Sequence, residues 1–154
     1  MKQTTLKEKE LTELSSHVHG EVIRPGDGEY EGARRVWNGL IDRLPNLIVR
    51  CRTGGDVSRA VRFARERGLS VTVRAKGHNV AGLAIHGGIG WLVRKHGMSV
   101  DNLRAAEVVT TEGESVRAST RENPDLLWAL KGGGGGFGVV TVFEFDLHAV
   151  GPDV

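Results

Sequence analysis

The sequence predicts an α+β fold, and three observations predict it. Between 47 and 74 a short apolar run, an amphipathic stretch and an alternating run follow one another, the order of a strand–helix–strand unit. From 103 to 150 two alternating runs, a capped apolar helix and a longer alternating run read as hairpin, helix and strand. Glycine, 22 residues in all, clusters at Gly54–Gly55, Gly87 to Gly90 and Gly132 to Gly138. Such clusters mark close backbone approach rather than a flexible linker.

Each element has its own signal. Residues 5–19 are polar apart from Leu6, Leu11, Leu14 and Val18 on one face, and predict a short helix. "RPGDGEY" (Arg24 to Tyr30) is turn chemistry. Ala33, Val36, Trp37, Leu40, Ile41 and Leu44 keep helical spacing, so a helix is expected over 29–44, stopped by Pro45. "LIVR" (47–50) predicts a buried strand. Asp56 is placed to cap the next helix, whose stripe is Val57, Ala60, Val61 and Ala64 and whose end is Gly68. "SVTVR" (70–74) alternates as a strand, and the three pieces form a right-handed βαβ pattern. The glycine-rich loop 75–90 then leaves the carboxyl end of a parallel strand, where α/β proteins bind ligands. Further on, 90–97 predicts a short helix or turn, 103–111 a strand, 112–113 a turn and 115–119 its hairpin partner. Asn123 and Pro124 start a helix, and 138–150 is a long strand.

Composition narrows the class. A chain of 154 residues, 39% apolar and 26% charged, suits one soluble globular domain. A formal net charge of +2 gives no reason to expect nucleic acid or a membrane surface as partner. The one cysteine, Cys51, excludes an internal disulfide and is read as a small packed residue. "MKQTTLKEKELTEL" lacks the apolar core of a secretory signal, and no apolar run reaches membrane-spanning length, so a cytoplasmic location is expected. His17 and His19 have no partners in sequence to make a metal site, and His86 and His96 read as loop or surface residues. No metal is expected.

The late run "GGGGGFG" (132–138) fits the letters of a dinucleotide fingerprint, but a helix precedes it and a strand follows, the reverse of what that fold needs. A phosphate loop needs Lys and Ser/Thr after the last glycine, where Val139 stands. Five glycines in a row before Phe137 favour backbone lying close to a flat or bulky ligand over a plain reversal of direction.

Three segments together resemble one family. They are "VIRPGDGEYEGARRVWNGLIDRLPNLIVRCRTGGDVSRAVRFARERGLSVTVRAKGHNVAG", "GGIGWLVRKHGMSVDNL" and "EVVTTEGESVRASTRENPDLLWALKGGGGGFGVVTVFEFDLHAVGP". In order and internal spacing they are similar to the PCMH-type FAD-binding domain of the vanillyl-alcohol oxidase and berberine-bridge-enzyme-like oxidoreductases. The resemblance implies two small α+β subdomains holding FAD. Residues 1–28 would be an N-terminal helix and turn, 29–88 the first FAD-binding subdomain and 89–154 part of the second. The cofactor contacts it implies are Arg74, Ala75, Lys76, Gly77, His78, Asn79 and Gly82, then Gly88, Gly90, Gly135, Gly138 and Val139.

His78 falls on the histidine that many members join covalently to the methyl group on the flavin ring; read alone, it is more readily a solvated loop histidine. Lys76 stands where the family has a glycine. If φ is positive there, lysine costs about 1–2 kcal/mol, which an ammonium near the pyrophosphate would offset.

The family also has strands and a helix between the histidine loop and the "GGIGWL" segment, including a cysteine that is not Cys51. Here the two segments are fused, and the substrate domain that follows in the family is missing, so no catalytic base is assignable. The expectation is an incomplete FAD-binding domain of an oxidase-type enzyme, acting on a small alcohol or sugar-like substrate only if another chain completes it. The rivals are a non-catalytic flavin or nucleotide module and an inactive remnant that forms homo-oligomers through exposed strand edges.

Overall fold

A computed structural model describes residues 6–36, 40–74 and 85–149. The chain divides into two compact units. One comprises Met1–His78 with Thr111–Gly113, and the other comprises Asn79–Thr110 with Glu114–Val154.

The first unit holds α1 (Glu8–His17), β1 (Glu21–Ile23), α2 (Tyr30–Arg34), β2 (Ile48–Arg50) and α3 (Gly54–Glu66). Leu14 of α1 and Ala64 of α3 are buried, as the apolar spacing predicts, and so is Phe63, which lies outside the expected stripe. β1 and β2 are antiparallel, with Val22 opposite Val49. Ile23, Tyr30 and Ala33 form a small core with Ile48 against it. The Tyr30 hydroxyl donates to the Pro45 carbonyl at 2.7 Å, satisfying the one polar atom of that ring. Gly68, at φ +61°, takes the left-handed conformation that closes α3.

Two expected elements are corrected here. The helix over 29–44 ends at Arg34, and Arg35 is extended. Leu40, Ile41 and Leu44 are exposed, Leu40 at 93%, whereas Ala33 at the start of the same apolar stripe is buried. The Arg34 guanidinium instead bonds Asp42 and the Arg43 carbonyl, folding the segment back on α2. The second correction is the βαβ unit. Residues 70–74 form no strand, and Val71 and Val73 are 54% and 60% exposed. Alternation supplies the side chains of a strand, but a strand also needs a neighbour's backbone, and β2 pairs with β1. Cys51, expected to be packed, is exposed.

The second unit opens with a helical turn, α4 (Val93–His96), and a 3₁₀ turn, Ser99–Asn102. β3 (Leu103–Val109) follows, flanked by β4 (Ser115–Ser119) and β5 (Val139–Phe145), antiparallel to both. The register of β3 with β5 slips twice, between Leu103 and Ala105 and between Glu107 and Val108. Ala105 and Ala106, and Val108 and Val109, are buried in pairs instead of alternating. α5 (Pro124–Gly133) lays Leu127 and Leu130 on Leu103, Ala106, Val108 and Ala118, the main core.

Pro124 begins α5 as expected, but Asn123 caps nothing with its side chain. It sits at φ 49° and donates instead to the Arg117 carbonyl at 2.7 Å. The backbone leaves helical geometry at Lys131 and Gly132, and Gly134–Phe137 forms a 3₁₀ turn before β5.

Candidate functional site

The predicted loop residues Ala75, Lys76, Gly77, His78, Asn79 and Gly82 lie outside the described residues. Arg74, in the first unit, is described. Its guanidinium donates to the Ala33 carbonyl at 2.9 Å and to the Arg35 carbonyl. These carbonyls close α2, so a fixed positive charge sits at that helix's negative end. Arg74 thus orders the approach to the loop through its backbone position, with its side chain already engaged.

In the same unit the structure reveals a residue that sequence reading undervalued. Asp56 was expected as an N-cap; the cap is Thr53, whose hydroxyl accepts from the Asp56 N–H at 3.1 Å. The Asp56 carboxylate is fully buried. It accepts from the N–H groups of His19 at 2.9 Å, Arg52 at 3.0 Å and Thr53 at 3.2 Å, and Nδ1 of His19 lies 3.2 Å away. Burial acts to raise its pKa, but these backbone donors and the His19 ring outweigh it and hold the carboxyl far below the usual carboxylate range. One buried anion therefore ties the chain after α1 to the turn "RTGGD" that starts α3.

The other predicted residues lie in the second unit, and the structure separates them by role. Gly88 is buried at φ +77°, and its carbonyl accepts from the Ser99 N–H at 2.9 Å and the Ser99 hydroxyl at 3.2 Å. Gly87 accepts from the Val100 N–H at 2.9 Å. This glycine pair is pinned to the 3₁₀ turn 99–102. Gly138, at φ +144°, lies so near β3 that a Cβ would stand 2.5 Å from the Val109 carbonyl oxygen. Val139 pairs with Val109 in the sheet. Packing within the protein accounts for Gly88, Gly138 and Val139.

Gly90, Gly135 and Gly136 are different. Each is exposed, and nothing lies within 4 Å of where a Cβ would stand. Bare backbone facing open space is what a flat ligand needs for close approach. His86 adds a contact that sequence reading missed: its ring lies where a methyl group on Gly134 would be, which brings the 85–90 segment against the late glycine run. The signal was present, since His86 immediately precedes the first glycine pair of that segment. Gly90, Gly135 and Gly136 thus present bare backbone to open space, and His86 lies against the start of the late glycine run.

Among the described residues no three His, Cys, Asp or Glu side chains are grouped to hold a metal ion. No helix among them is long and apolar enough to cross a membrane.

Residues 45–89, which include the whole loop from Arg74 to Gly82, match a family model described as an FAD binding domain. Over these residues the chain is similar to the FAD-binding domain of the FAD-linked oxidoreductases. The chain is 29% identical over 204 residues to (R)-6-hydroxynicotine oxidase of Paenarthrobacter nicotinovorans, covering 93% of this chain and 44% of that enzyme. An alignment longer than the 154-residue chain means that the relative has residues with no counterpart here. The chain spans less than half the length of that relative.

Two solved structures share the fold of this chain. BBE-like 1 of Physcomitrella patens superposes with a TM-score of 0.83 at 23% identity, over 90% of this chain and 44% of that one. Glucooligosaccharide oxidase of Acremonium strictum, which has a 6-S-cysteinyl, 8α-N1-histidyl FAD, gives 0.75 at 22%, over 89% and 42%.

Proposed function

We propose that this chain is the FAD-holding part of an oxidase-type enzyme that takes a hydride from a small alcohol or sugar-like substrate. The observation that carries the reading is the match of 45–89 to an FAD binding domain, over the loop that sequence analysis assigned to the cofactor. When bound, FAD supplies the two-electron acceptor for such a reaction. Within this chain the loop Arg74, Ala75, Lys76, Gly77, His78, Asn79 and Gly82 would present backbone N–H groups to the pyrophosphate. Gly90, Gly135 and Gly136 would lie along the flat part of the cofactor, with Gly88, Gly138 and Val139 shaping the backbone beside them.

His78 is the candidate for a covalent link, which requires a neutral imidazole close to the flavin methyl group. The histidyl FAD of glucooligosaccharide oxidase, a protein of the same fold, supports that chemistry. A positive charge on Lys76 would favour the neutral ring. The residues of the nicotine oxidase that lack counterparts here would fall between the histidine loop and the "GGIGWL" segment, and substrate binding would need residues beyond this chain. A cytoplasmic location belongs to the same reading, whereas association with a second copy through open strand edges belongs to the rival, an inactive remnant.

The test is chemical. Chain purified with flavin should be yellow, and acid precipitation should leave the colour in the pellet. His78→Ala should move it to the supernatant. A wild-type pellet without colour would refute the covalent link, while a yellow supernatant would keep FAD binding. Lys76→Gly should weaken FAD binding about tenfold, the loss of roughly one charge-assisted contact. Unchanged or tighter binding would remove the lysine from the phosphate site.

A further inference from the structure

His96 and His148 stack in the second unit, their ring centroids 4.1 Å apart and their planes 14° from parallel. His96 closes α4 and is half-buried; His148 lies beyond the end of β5. Asn102, the last residue of the 3₁₀ turn, joins the two. Its amide nitrogen donates to the carbonyls of His96 and Met98, each at 2.9 Å. Its oxygen is therefore the acceptor that faces Nε2 of His148 at 2.5 Å, so a neutral His148 carries its proton on Nε2. The Asn102 main-chain carbonyl also accepts from the Asp146 N–H at 2.9 Å. The segment leaving β5 is thus held by one asparagine and one imidazole stack.

We propose that this His96–His148 stack is a pH-sensitive clasp that holds residues 146–148 on the 3₁₀ turn at neutral pH and releases them in acid. Two neutral rings stack favourably, and two imidazolium rings at this separation repel. The charged neighbours do not cancel that repulsion. Arg94 and Lys95 on α4 are positive, and Lys95 acts on His96 directly. The Asp101 carboxylate on the 3₁₀ turn accepts from the Met98 N–H at 2.8 Å. Asp146 is paired with Arg104 of β3 at 3.2 Å.

The direction follows from His96. Burial, then the charges of His148 and Lys95, hold its pKa below the ordinary 6.5. Above 6.5 neither the closed nor the open form binds a proton, and the clasp is at full strength. Below it the open form takes the proton first, so falling pH favours opening.

The Asp146 amide reports the clasp, because its acceptor is Asn102. In the 154-residue chain its protection against hydrogen exchange, corrected for intrinsic rate, should fall about tenfold or more from neutral pH to about pH 5, the range in which histidine titrates. His96→Phe keeps a ring to stack but cannot charge. It should retain the protection and lose its pH dependence. Equal protection at both pH values, or an undiminished fall in His96→Phe, would overturn the proposal. Ring-carbon chemical shifts of His96 provide a second reading: His148→Gln should raise its midpoint, because the charge of His148 is one of the causes that lower it. An unmoved midpoint would equally refute the clasp.

Discussion

Asp56→Ala is expected to destabilise the first unit by about 2–3 kcal/mol, since three part-buried backbone donors lose one shared, fully buried acceptor. The N–H groups of His19, Arg52 and Thr53 all end on that carboxylate. Asp56→Asn should cost less, because the amide keeps one accepting oxygen and turns its NH₂ toward donors. Urea denaturation followed by circular dichroism reads both. The sign of the pH dependence follows from the lowered pKa. A carboxyl held below its unfolded value contributes stability above that value and loses it as pH falls toward the folded one. Wild type should therefore keep this contribution through neutral and mildly acidic solution and lose it only in strong acid, and Asp56→Ala should lack that acid-dependent loss. An alanine variant within about 1 kcal/mol of wild type would show that the carboxylate is not the tie between α1 and α3.

The late glycine run should divide under alanine substitution. Gly138→Ala places a methyl group 2.5 Å from the Val109 carbonyl, backbone that cannot swing aside, at φ +144°. Gly134→Ala meets the His86 ring at φ +73°. Each should cost about 2–4 kcal/mol, Gly138 the more, because a side chain yields more readily than a strand. Gly135→Ala and Gly136→Ala meet nothing within 4 Å, so stability should hold within about 1 kcal/mol. Their effect should appear on FAD, with affinity falling about tenfold or more where the methyl group separates backbone from cofactor. If Gly135→Ala and Gly136→Ala left FAD affinity unchanged, the open glycines would be a turn and not a cofactor surface.

The elements readable from sequence are those whose determinants are local. β4 falls at Ser115–Ser119 as expected because a two-strand hairpin is fixed by its own turn at 112–113. Pro124 marks the start of α5 because its missing N–H suits the first helical position. What sequence reading missed depends on distant partners. α2 stops at Arg34 where Arg74, forty residues on in round number, caps its carbonyls. The alternation of Val71 and Val73 predicted a strand that finds no partner among the described residues. The site divides in the same way. The glycine clusters were legible as places of close backbone approach, but only the fold shows that Gly88 and Gly138 are used by the protein itself. It also shows that His86, passed over as a loop residue, lies against Gly134.

The central claim is that this chain holds FAD, and titration with FAD tests it most directly. Purified chain, first shown to unfold cooperatively, is freed of any loosely bound flavin and titrated while flavin fluorescence is followed. The expected result, in chain that carries no covalent flavin such as His78→Ala, is saturable uptake of one FAD per chain, with a melting temperature that rises with FAD concentration. A folded chain that carries no flavin and neither quenches nor is stabilised by added FAD would contradict the claim.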